Sequence, residues 1–128
     1  PALGEPPGYI FAAVFESPGM LESLEGAWWF LGLFVLSAVF NSILGEEFLF
    51  RGVLLPRMTG VFGRWGWVAN GVLFGLYHIH QPWGIAGNMA SGALFLALPS
   101  WYLRSTWMSV IIHSGQIVVF CILVLGLA

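Results

Sequence analysis

Apolar residues fall into four long blocks, 27–45, 65–79, 85–102 and 107–128, separated by short connections that carry arginine, proline or glycine. The first block runs nineteen residues without a charge. As helix it would rise about 28 Å, close to the roughly 30 Å of a bilayer's hydrocarbon core. Trp28 and Trp29 open it, as interfacial aromatics do. The second block would rise about 22 Å and stops at Gln81-Pro82. In the third, Gly87, Ala90, Ser91, Gly92 and Ala93 would let a neighbouring helix approach closely, and Pro99 lies near its end. The fourth has only His113 and Gln116 as strongly polar residues. The pattern predicts an all-α, polytopic membrane protein with about four transmembrane helices. Residues 1–26 are expected to form a loop and a short interfacial segment, and 27–128 the membrane-embedded core. No strong breaker precedes Gly52 and Pro56, so the first helix should continue through Glu46 and Glu47.

Composition sharpens this class. Charged residues are 8% of the 128-residue chain, against roughly 25% in soluble domains, and hydrophobic residues are 59%. A soluble domain of this size could not hide so much apolar surface. The net charge is -2 and no Lys/Arg cluster exists, which argues against nucleic acid as a partner. The single cysteine, Cys121, allows no internal disulfide and is expected in packing. The first eight residues do not read as a signal peptide, because they lack a basic stretch. All seven tryptophans fall at predicted segment ends, where an aromatic belt explains them. An antiparallel path puts Arg57, Arg64 and Arg104 on one side, which the positive-inside rule makes cytoplasmic. The expected location is therefore an integral, multi-pass position in a membrane, taken to be a bacterial cytoplasmic membrane, with the lipid bilayer as a partner.

Against this background the pair Glu46-Glu47 is the anomaly. A carboxylate in an apolar medium is costly unless paired, hydrogen-bonded or protonated, and marks a functional site by default. Glu47 and Arg51 are i,i+4 on one helix face and form a natural ion pair. Glu46 then needs a partner from another segment. Counting at about 1.5 Å per residue from the arginine-rich side, Glu46 and His78 lie roughly 16 Å deep and His113 roughly 9 Å. The three can share one layer. Phe74 is i,i+4 to His78 and is expected to pack, in reach of the imidazole. His80 reads as a loop residue beside Pro82.

A carboxylate with two imidazoles suits water activation. Glu46 could take a proton from water, His78 could orient it, and His113 could donate to the oxyanion formed on an amide. One Glu and two His also make a zinc set, but His-Glu-x-x-His is absent, so no cofactor is expected and zinc is the alternative. Two non-peptidase readings compete. One is a scaffold or immunity protein that binds a peptide or partner helix, and the other a proton-coupled transporter component, which four segments without a repeat do not favour.

The run Glu46-Glu47-Phe48-Leu49-Phe50-Arg51, then Phe74-Gly75-Leu76-Tyr77-His78, then His113 on the last apolar block, resembles the CAAX-processing and bacteriocin-processing (CPBP, or Abi) family of membrane endopeptidases. The resemblance implies a metal-independent, glutamate-dependent endopeptidase acting on membrane-associated proteins or peptides. It implies that Glu46 and His78 activate water, that His113 helps form the oxyanion site, and that Glu47 and Arg51 support Glu46. One position departs from the family pattern. Where an asparagine normally follows the third-motif histidine by four residues, this chain has Ile117, with Gln116 just before it. Relatives also usually carry more helices, so helices from a partner or from a second copy are expected to complete the bundle.

Overall fold

Helix is the only regular secondary structure among the described residues of this computed structural model, which are Gly19 and residues 26–127. The loop and interfacial turns expected before residue 26 lie outside the described residues, Gly19 excepted, as does the side chain of Cys121.

Described residues 26–127 form three continuous helical stretches. The first begins as α1, Trp28–Ala38, continues without a break as α2, Val39–Leu54, and returns to ordinary α-winding in α3, Leu55–Phe62. A single 3-10 turn, Gly63–Trp65, leads directly into α4, Gly66–Tyr77. Gly63 sits at φ +56°, a conformation that excludes most side chains, and this turns the path so that α4 packs back on α3. The second stretch opens with the turn Pro82–Gly84 and runs through α5, Ile85–Ser91, α6, Gly92–Ala97, and α7, Leu98–Leu103. Arg104, left-handed at φ 50°, closes α7, and α8, Thr106–Leu127, follows.

This corrects the expected architecture and location. A bundle of four membrane-spanning helices is not what the described residues form. Among the described residues one helical stretch, Trp28–Tyr77, is long and apolar enough to cross a membrane, and by itself it does not establish a crossing. Thr106–Val119 is a shorter apolar helix. The first two blocks merge into the one stretch because Gly63 is accommodated by a turn that stays helical. The third follows the Pro82 turn and is divided into short pieces by changes of winding. The multi-pass, integral location in a bacterial membrane therefore loses its basis among the described residues. The first helix does run through the glutamates, and it continues past Pro56 to Phe62.

α2 is wound with i→i+5 hydrogen bonds over 16 residues. Such winding is usually a single-turn insertion, and it is frequent at functional sites. Its period stacks Ser42, Glu46, Glu47, Phe50 and Arg51 on the buried side. α8 covers that side, α4 packs beside it, and Arg51 reaches the Gly92 carbonyl at the start of α6.

The interior is unusually polar. Glu46, Glu47, Arg51, Asn70, Ser100 and Ser109 are buried, beside a small apolar core of Phe50, Phe74 and Leu96. Large apolar side chains such as Leu33, Phe40, Phe48, Leu76, Tyr102 and Ile111 are exposed on the outer faces. Asn70 holds α4 to α2 by donating Nδ2–H to the Phe50 carbonyl at 2.8 Å.

Glycine sets the approach of α4 to the second stretch. A Cβ on Gly71 would fall 2.6 Å from the Ala93 Cα, and one on Gly75 would fall 2.8 Å from the Met89 backbone nitrogen. Backbone cannot yield as a flexible side chain can. Gly71→Ala is therefore expected to destabilise the fold by about 1–3 kcal/mol, the usual range for overpacking. A denaturant titration against the wild type measures this.

Candidate active site

The site starts from Glu47, whose side chain is wholly buried. Arg51 lies one turn along α2 and donates Nη1–H to Glu47 Oε1 at 3.1 Å. The guanidinium also donates through Nη2 to the Gly92 carbonyl at 3.2 Å and lies 4.3 Å above the Phe74 ring. Its charge is thus held by a carboxylate, a carbonyl and a π face, which is what a buried cation requires.

His113, from α8, reaches the same Glu47 Oε1 with Nδ1 at 2.7 Å. An ionised carboxylate can only accept, so this contact puts a proton on Nδ1. Nε2 then faces Glu46, 3.8 Å from its Oε2. Glu46 receives a hydrogen bond from Asn41 Nδ2 at 3.3 Å. Asn41 and Glu46 are five residues apart, the spacing that i→i+5 winding stacks. The partner that Glu46 needs comes from its own helix as well as from another element.

His78 is placed differently. It ends α4 and its Nδ1 lies 2.9 Å from the Phe74 carbonyl. A carbonyl only accepts, so Nδ1 carries the proton and Nε2 of the neutral ring is an acceptor. Phe74 is the packing centre, with ring centroids 5.2 Å from Phe50, 4.7 Å from His78 and 6.5 Å from His113.

Glu46, His78 and His113 line one cleft of about 620 Å³. Phe74 and Gln116 line it too, while Glu47 and Arg51 lie behind it. His80 stands 5.7 Å from His78 at the cleft's edge. Ile117 is not among the lining residues. Gln116 takes that place because it is i+3 from His113 and shares its helix face. Asn88 and Ser91 complete the polar lining from α5. Asn41 was missed by reading the chain with a 3.6-residue period. The available signal was that it is the only side-chain amide in the first apolar block.

Zinc does not fit these residues. Among the described residues no group of three or more His, Cys, Asp or Glu is arranged to hold a metal ion. The nitrogen of His113 that comes closest to a carboxylate is already committed to Glu47. Chemically, the cleft offers a carboxylate, an imidazole acceptor, a second imidazole backed by a carboxylate, and side-chain amides.

Residues 27–119 match the protein family described as Type II CAAX prenyl endopeptidase Rce1-like. No curated protein and no solved structure matches the chain.

Proposed function

We propose that this chain, which belongs to the Rce1-like family of type II CAAX prenyl endopeptidases, hydrolyses peptide bonds of membrane-associated proteins or peptides with a water molecule activated by Glu46. The observation that carries the reading is the convergence of Glu46, His78 and His113 on one cleft, with Glu46 Oε2 3.8 Å from His113 Nε2. Glu46 takes a proton from water while His78 Nε2 accepts its second hydrogen and orients it. The water oxygen attacks the peptide carbonyl. His113, held by Glu47 through Nδ1, turns Nε2 to the oxyanion and donates to it when the ring carries both protons. Glu46 then delivers its proton to the departing amine, the C–N bond breaks, and the products are a carboxylate and an amine. No metal enters these steps. The exposed apolar surface supports the substrate class, since patches of this kind mark contact with a partner or lipid.

Gln116 takes the position of the second oxyanion donor in this reading. Gln116→Leu is expected to lower turnover by about 10-fold to 100-fold, below the 10²–10³ of a rigid donor because Gln116 is exposed. The competing reading is a non-catalytic scaffold or immunity protein, favoured by Ile117 at the position where the family pattern has asparagine. Incubating the protein with prenylated and unprenylated membrane-associated peptides, and detecting new termini by mass spectrometry, separates the two. Cleavage that falls in Gln116→Leu supports the peptidase. Tight binding of the same peptides without cleavage supports the scaffold.

A further inference from the structure

Glu46 and Asn41 both line the cleft, and they stand in it differently. Glu46 is 6% exposed, whereas Asn41 is an exposed residue. Asn41 donates Nδ2–H to Glu46 Oε1 at 3.3 Å, while Glu46 Oε2 faces His113 Nε2 at 3.8 Å. The two carboxylate oxygens are therefore not equivalent. Oε1 is taken up from within α2, and Oε2 is turned toward α8. The terminal torsion of a glutamate is broad and roughly two-fold, so the path of the chain does not decide which oxygen meets the cleft. A donor on one of them does. The bond depends on the winding of the helix. At 3.6 residues per turn, residues 41 and 46 would stand roughly 140° apart around the axis. The i→i+5 pattern of α2 brings them to one side.

We propose that Asn41 is a positioning residue for Glu46, holding Oε1 so that Oε2 is the oxygen that takes the proton from water. The inference rests on the peptidase reading. Asn41 acts through Glu46 and leaves the reacting atoms to Oε2, His78 and His113. The other role open to an amide on the cleft wall is to bind the peptide directly, and the two roles change different quantities. Misplacing a reacting group by about 1 Å can cost 10²-fold in rate. Losing a contact made equally with bound substrate and transition state raises KM and leaves kcat as it was. A merely structural role would show in stability, where an exposed position counts for little.

The test is kcat and KM of the full chain on a cleaved peptide for wild type, Asn41→Leu, Glu46→Gln and the double variant, with thermal unfolding of each. Leucine is close to asparagine in size and has no donor. Asn41→Leu is expected to lower kcat by about 10-fold to 100-fold with KM and the unfolding midpoint unchanged. Added to Glu46→Gln, the same substitution should cost nothing more, because no base is left to position. The contact itself is read by NMR: the Asn41 Nδ2–H signal is expected downfield of its position in Glu46→Ala. A rise in KM with kcat unchanged, an equal loss of kcat in the Glu46→Gln background, or an Asn41 signal indifferent to Glu46→Ala would each overturn the proposal. The two readings fail separately. Cleavage that Glu46→Gln abolishes and Asn41→Leu leaves intact overturns this inference alone, whereas cleavage undiminished in Glu46→Gln overturns the peptidase mechanism and this inference with it.

Discussion

Glu46→Gln is expected to lower the turnover of peptide hydrolysis by about 10²–10⁴-fold, the range for loss of a general base. Gln keeps the shape of the side chain, and its carbonyl can still accept from Asn41 Nδ2, the contact now made at 3.3 Å. What it loses is the ability to hold the proton taken from water. The folded state should survive, because Glu46 is not part of the buried Arg51–Glu47 pair. The measurement is kcat on a cleaved peptide, with thermal unfolding recorded on the same preparations. Glu47→Gln should behave differently. It weakens the contacts with Arg51 and His113, so activity and stability should fall together.

The largest effect on stability is expected from Arg51→Met, at about 3–5 kcal/mol. Both side chains of the pair are fully buried, and removing one partner of such a pair strands the other charge. Here the stranded group is Glu47, left with His113 alone, and the Gly92 carbonyl also loses its donor. Arg51→Met/Glu47→Leu should be more stable than Arg51→Met by about 2 kcal/mol or more, since replacing a whole buried pair with apolar side chains is often tolerated. Urea unfolding of the wild type, both single variants and the double variant closes the cycle. If the two single effects simply add, the pair is not the unit that the geometry describes.

Much of the candidate site stands out in the chain because it breaks the local pattern. Glu46, Glu47 and Arg51 interrupt an apolar stretch, and His113 stands in another block without a charged companion. Such residues need partners, and there are few to choose from. The i,i+4 spacings of Glu47 with Arg51 and of Phe74 with His78 follow from helix geometry. The all-α class followed from the length and apolarity of the blocks.

Other features left no trace in the residue pattern. The i→i+5 winding of α2 has no compositional mark, yet it puts both glutamates on one buried side and stacks Asn41 on Glu46. The bond from His113 Nδ1 to Glu47 depends on how α8 lies over α2, which no local pattern encodes. Counting apolar blocks also misled the architecture. The count registers where polarity changes. It does not register that Gly63 turns the chain within helical winding, or that Pro82 opens a second stretch made of short pieces.

In the proposed mechanism water, held by Glu46, attacks the peptide carbonyl directly. A single-turnover cleavage in H₂¹⁸O, followed by mass spectrometry of product and protein, tests it most directly. The expected result is ¹⁸O in the new C-terminal carboxylate of the product, none in Glu46, and persistence of the reaction in the presence of a chelator. Label in the Glu46 carboxylate would mean covalent attack by the glutamate, and cleavage of undiminished rate in Glu46→Gln would remove Glu46 from the chemistry altogether.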